Sequence, residues 1–302
     1  MPIRMTALSA RNRWVVFLPL LCLAAVAHAA ENKFELTLSV NGIVTLRIST
    51  SSGYVHVFRG PDGQVHVVGH VKANRSRLGS SLEAVAKVVS EPPIDRAGNI
   101  IRIGGRHSNL SIDYDVATPR NTILAVQSGS GDVQVTDIRT VEAETASGEI
   151  RAQRLGADSE LKTGSGTIEA SDLDGPSVLQ AGSGDIRASY SAPGHVTANT
   201  GSGSVSLRNV HGGLKVETGS GDLEIEGKPT GPWKLETGFG SINVDLGSSD
   251  FALDAETGSG TVTSDLPITV QRSTDKRHIV GKVNNGGPTV KVQTGSGDIR
   301  IK

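Results

Sequence analysis

The sequence predicts an all-β fold: a single-stranded parallel β-helix, or solenoid, with rungs of about 18 residues and one short helix near the N-terminus. Three observations predict it. The first is a phrase of the type Thr-Gly-Ser-Gly, which returns nine times between Ser128 and Gly297, in steps of 17 to 20 residues and one last step of 37. The second is alternation. Two positions before each corner stand Val126, Ala143, Leu161, Leu179, Ala198, Val216, Leu235, Ala255 and Val292. Just after it stand Val133, Ile150, Ile168, Ile186, Val205, Leu223, Ile242, Val262 and Ile299, and polar residues lie between. The third is a scarcity of aromatics, 3% of the chain. Thin layers of Val, Ile, Leu and Ala suit a stack of rungs better than a bulky centre.

Each repeat unit therefore reads as strand, corner, strand. Glycine lets the chain turn through positive φ, serine bonds locally, and β-branched threonine suits a strand end. In-register stacking would place equivalent Thr and Ser side chains about one strand spacing apart, roughly 4.8 Å, as hydroxyl ladders. A chain of antiparallel hairpins is the rival geometry. Recurrence of near-identical residues at one step favours parallel stacking. The long last step predicts a degenerate unit between Thr261 and Pro288.

From the start of the chain, residues 1–29 read as a signal peptide. Arg4, Arg11 and Arg13 precede the apolar run Trp14 to Val26, and Ala27-His28-Ala29 is an A-x-A cleavage site. Cys22 belongs to the apolar core of that signal; Leu21 before it argues against lipidation. Residues 30–120 form a strand-rich part, with strands expected in 34–73, 100–103 and 110–116. A helix over 79–90 would present Leu82, Val85, Ala86 and Val89 on one face, start at a Ser80/Glu83 capping box, and cap the open end of the solenoid. Residues 121–302 form the repetitive solenoid.

Without the signal the chain has no Cys and no Met, which excludes a disulfide framework and a thiolate metal site. The 30 basic residues fall by three to 27 against 31 acidic ones, a formal charge near −4 that gives no electrostatic case for nucleic acid. No other apolar run is long enough to span a bilayer.

A resemblance is carried by YDVATPRNTILAVQSGSGDVQV at 114–135, by the recurring TGSGD phrase, and by the amphipathic helix before them. Together these resemble the bacterial putative-adhesin family of secreted β-strand-repeat proteins, a domain-of-unknown-function family, over about residues 34–302. The resemblance implies an envelope or secreted β-solenoid with an adhesive or scaffolding role, and it lends no catalytic residues. Ala146, Phe239 and the charged segment 273–278 depart from the repeat.

The patterns that could carry chemistry are weak. Only Asp132, Glu149, Asp185, Asp222 and Asp298 of nine post-corner residues are acidic, too few for a calcium β-roll. Each G-x-G runs into a strand and not a helix N-terminus, so no phosphate cradle forms, and G-x-S-x-G is absent. His56, His66 and His70 alternate with valines, which reads as a solvated strand face over a zinc site. Outward Glu217, Glu236 and Glu256 would stack as one acidic column flanked by Lys215, Lys234 and Lys291. That column, with Trp233 and Phe239, is the candidate ligand face; Trp233 is expected to pack inward. No catalytic residue, metal ligand or cofactor is expected. The expected function is a secreted or envelope-associated non-enzymatic scaffold or adhesin. Its partner would be a cell-envelope or surface protein or glycan. A carbohydrate-active β-helix enzyme is the alternative, and a periplasmic sensor partner a weaker third reading.

Overall fold

The computed structural model describes residues 32–73, 78–105, 110–156, 158–274 and 276–302. The proposed signal segment lies outside them. Each rung has two walls joined by the Gly-Ser corner. In the first wall Thr122–Ser128, Thr140–Thr145, Ser159–Thr163, Ser177–Ala181 and Val196–Ser202 pair in parallel. In the second wall Val133–Thr136, Ile150–Gln153, Ile168–Asp174 and Ile186–Ala192 do the same. Val205–Ser220 and Leu223–Phe239 each begin in the second wall and end in the first wall of the next rung. The parallel solenoid, not the hairpin chain, is the fold.

The inward columns meet between the walls. Val126, Ala143, Leu161, Leu179, Ala198, Val216 and Leu235 face Val133, Ile150, Ile168, Ile186, Val205, Leu223 and Ile242, and all are at most 1% exposed. Their burial is the main driving force, about 1.5–3 kcal/mol for each full-sized aliphatic side chain.

The corners differ from the hydroxyl ladders expected. Corner threonines turn inward and donate to a glycine carbonyl one rung back: Thr145 to Gly131, Thr163 to Gly148, Thr200 to Gly184, Thr218 to Gly203 and Thr237 to Gly221, at 2.8–3.1 Å. A buried hydroxyl needs such a partner, and the carbonyl of the neighbouring rung supplies it. Post-corner aspartates bridge rungs too. Asp132 accepts from the Glu149 amide, Asp185 from Ser204 and Asp222 from Ser241. In the central corners glycine is required by close approach and not by φ. A Cβ on Gly166 would stand 1.8 Å from the Gly148 carbonyl oxygen.

Both chain ends are threaded out of sequence order. Val44–Thr50 lies between Ile100–Gly104 and Thr122–Ser128, and Val55–Arg59 lies between Leu110–Thr118 and Val133–Thr136. At the other end Thr289–Ser296 lies between Leu223–Phe239 and Phe251–Ser259. Ile299–Ile301 likewise lies between Ile242–Asp245 and Val262–Ser264. The first and last rungs in sequence are therefore second from the end in space. The C-terminal strands, held by a ladder on each side, resist fraying.

Antiparallel strands close the outermost rungs. Gln64–Ala73 pairs with Leu110–Thr118 and carries Lys33–Ser39, and Ile94–Ala97 pairs with Ile100–Gly104. At the far end His278–Val283 pairs with Phe251–Ser259 and with Ile268–Thr274. The expected degenerate rung between Thr261 and Pro288 is thus an antiparallel hairpin. Its antiparallel pairing ends the parallel stack, which would otherwise offer a templating edge.

The helix, Leu78–Ser90, packs against Gln64–Ala73, Lys33–Ser39 and Leu110–Thr118. Its buried stripe is Val85 and Val88, with Ala84 and Val89 partly covered, while Leu82 stays 68% exposed. The face is turned from the expected one, because spacing shows that an apolar stripe exists but docking chooses its centre. Among the described residues no helix is long and apolar enough to cross a membrane.

Candidate functional site

The first wall's outward face carries the expected column with one interruption. Glu217 stands beside Glu236, but the out-of-order strand puts Gln293 between Glu236 and Glu256. Lys234 Nζ lies 3.4 Å from Glu217 and 2.8 Å from Glu236, and Lys215 lies 3.0 Å from Glu217. The hydrogen bond from Lys215, helped by Lys234, holds the Glu217 carboxyl below its ordinary value. Gln293 donates to Glu256 at 3.2 Å. The column is a ladder of paired charges.

Trp233 is 1% exposed and donates its indole N–H to the Gly212 carbonyl at 2.8 Å, so it is removed from the candidate ligand face. It fills the inward position held by Leu214 one rung back. Phe239 is 67% exposed, flanked at the corner by Ser220 and Ser296.

The three histidines do not converge. His56 Nδ1 is 3.2 Å and His70 Nε2 3.8 Å from the Asp115 carboxylate, which also accepts from the Tyr54 hydroxyl at 2.8 Å. Partial burial, then Asp115, push the Tyr54 phenol up to about 12. His66 faces Glu35 at 3.3 Å instead. Among the described residues no cluster of His, Cys, Asp and Glu is arranged to hold a metal ion.

A concavity lies on the second wall, where the sequence placed no candidate. It is a groove of about 490 Å³ running across the strands from Val133–Thr136 to the start of Val205–Ser220. One row is Gln134, Arg151, Glu169, Arg187 and Ser206, in register on five successive strands. The second row is Thr136, Gln153, Ser171, Ser189 and Arg208. Arg151 is held by Glu149 at 2.5 Å and Glu169 at 3.6 Å, and Arg187 by Asp185 at 2.7 Å and Glu169 at 3.9 Å. Arg208 has no ion pair among the described residues. The groove thus presents a fresh polar group at every strand step, with three guanidinium groups against one lining carboxylate.

A tight backbone bend closes this face. Asp137, Arg154, Asp172 and Asn209 adopt left-handed φ of 53–57°, and each is followed by a buried aliphatic residue: Ile138, Leu155, Leu173 or Val210. Asp and Asn tolerate this conformation best. The signal was a short polar residue before Ile, Leu or Val at rung spacing, blurred by Arg154.

These features define a two-walled parallel β-solenoid with antiparallel closures and an open polar groove. Over residues 95–302 the chain matches Toastrack DUF4097, and it belongs to that family. No curated protein matches it. Among solved structures it is similar to a putative adhesin from Bacteroides fragilis NCTC 9343, at 12% identity over 90% of this chain and 98% of that one, with a TM-score of 0.39. It is also similar to a putative cell adhesion protein from Clostridium sporogenes ATCC 15579, at 11% identity over 89% and 99%, with a TM-score of 0.22. Overlays this loose carry no functional weight.

Proposed function

We propose that this chain is a non-enzymatic, exported, adhesin-like solenoid that holds an extended polymer of the cell envelope along its second-wall groove. The observation that carries this reading is the periodic lining. Successive strands are roughly 4.8 Å apart, so a chain laid along the solenoid axis meets an equivalent polar group at each step. A pyranose unit with its linkage is about as long as one such step, which makes a glycan the best-matched polymer. Arg151, Arg187 and Arg208 favour an acidic one.

The enzymatic alternative is less well supported. Acid-catalysed glycoside cleavage needs a carboxyl group kept protonated and a second carboxylate facing it. Glu169 is the one carboxylate lining the groove and lies between two arginines. On the first wall, Glu217 is shifted the wrong way for an acid.

The test is binding to isolated envelope polysaccharides, with product analysis in the same samples. Replacing Arg151, Arg187 and Arg208 by Ala is expected to weaken binding at least tenfold, since a charge-assisted hydrogen bond contributes about 1.5–3 kcal/mol. The Glu217→Gln/Glu236→Gln/Glu256→Gln variant should bind as the parent does. New reducing or unsaturated ends, or full binding by the triple-arginine variant, would overturn the proposal.

A further inference from the structure

The N-terminal end of the first wall carries a second concavity, of about 450 Å³, on a different face from the groove. Its charges are sorted, not interleaved. Arg47 sits beside Arg102 on the adjacent strand, Ala125 occupies the next strand, and Glu142 the one after, with Glu144 two residues along on the same face. Like charges side by side on a sheet are unfavourable. Further along the same wall like charges also stand side by side, Lys215 beside Lys234 and Glu217 beside Glu236, but there the two columns are adjacent and neutralise each other as ion pairs. Here the two signs are held apart by a small side chain.

The charged groups are also largely unspent. Among the described residues Arg47, Glu142 and Glu144 make no hydrogen bond or ion pair, and Arg102 reaches only Asp95, at 3.6 Å. Lys162 stands in register beside Glu144 and attracts both Glu144 and Glu142, but its hydrogen bond goes to Glu160. The site therefore offers two guanidinium groups at one end and, at the other, two carboxylates that no hydrogen bond or ion pair holds, with Ser49, Ala125 and Gln127 also lining it.

We propose that this is a binding site for a short zwitterionic peptide. Its terminal carboxylate would lie on Arg47 and Arg102, and its terminal ammonium against Glu142 and Glu144. Guanidinium groups suit a planar carboxylate, and carboxylates satisfy an ammonium's donors. From the Arg47 strand to the Glu142 strand is two strand steps, roughly 10 Å. An extended peptide covers at most ~3.3–3.6 Å per residue, so two or three residues bridge the two ends. A polyanion would be repelled by the glutamates and a polycation by the arginines. Among the described residues no aromatic side chain lines the cavity for a neutral sugar to stack on.

The experiment is calorimetric titration of the full chain with trialanine, N-acetyl-trialanine and trialanine amide. Trialanine is expected to bind, and blocking either terminus to weaken it at least tenfold. Arg47→Ala should abolish the penalty for amidation, and Glu142→Gln with Glu144→Gln the penalty for acetylation. Free alanine, too short to bridge, should bind at least tenfold more weakly. Arg208→Ala, in the other groove, should change nothing, which separates this site from the polymer reading. Absence of trialanine binding up to millimolar concentration, or equal binding of the blocked forms to the parent chain, overturns the proposal without recourse to any variant.

Discussion

Replacing Gly166 by alanine is expected to destabilise the middle of the stack by about 3–5 kcal/mol. The new Cβ would stand 1.8 Å from the Gly148 carbonyl oxygen and 2.6 Å from its carbon, both backbone atoms. Gly148 has nowhere to retreat, because its own Cβ position is 2.1 Å from the Gly131 oxygen. Overpacking alone costs about 1–3 kcal/mol. The shift would also stretch the Thr163 bond to the Gly148 carbonyl, 2.8 Å, and that of the Gly166 amide to Thr163, 3.0 Å, at about 1 kcal/mol each. For a chain of this size each kcal/mol moves Tm by about 2–4 °C, so a fall of roughly 6–20 °C should appear in a calorimetric melt. Ser165→Ala, on the exposed tip of the same corner, should stay within about 0.5 kcal/mol of the parent. Equal melting of both variants would show that the corners are not in close contact.

Removing residues 288–302 is expected to unravel much more than the last rung. Val290, Val292, Ile299 and Ile301 are all 0% exposed, and their burial is worth about 6–12 kcal/mol at 1.5–3 kcal/mol per side chain. Total stability of a folded protein is about 5–15 kcal/mol. Among the described residues Thr289–Ser296 is also the strand that joins Leu223–Phe239 to Phe251–Ser259 through the first wall. Hydrogen exchange on the truncated chain should therefore show loss of protection across 251–283, while 122–202 stays protected. If the rungs were stacked in sequence order, 251–264 would keep its protection.

Much of this architecture was legible because one corner type repeats. The nine Gly-Ser phrases and the apolar residues around them state where strands begin, which face is inward, and that Trp233 fills a leucine position. Neighbour choice is not written locally. Val290 and Val292 alternate with Lys291 like any other rung, and nothing in that pattern says that they lie against Leu223–Phe239 instead of after Phe251–Ser259. The acidic column was misread for the same reason, since Gln293 enters it from the end of the chain. The hairpin after Thr261 was hidden because alternation does not distinguish parallel from antiparallel neighbours. The second bend escaped because Asp137, Arg154, Asp172 and Asn209 share a conformation but not a residue type. The groove escaped because Thr136, Ser171 and Ser189 gain meaning only when stacked beside Arg151 and Arg187.

The out-of-order insertion at the C-terminus is the central structural claim, and cysteine cross-linking tests it most directly. In a chain with Cys22, its only cysteine, replaced by Ala, two cysteine pairs would be compared: Glu236→Cys with Gln293→Cys, and Glu236→Cys with Glu256→Cys. Residues 236 and 293 are in register on adjacent strands, and 256 lies one strand beyond 293. Adjacent strands are roughly 4.8 Å apart, within the Cα separation a disulfide spans, and two steps, roughly 10 Å, exceed it. The account predicts rapid oxidation of the 236/293 pair and none of the 236/256 pair; the reverse result would contradict it.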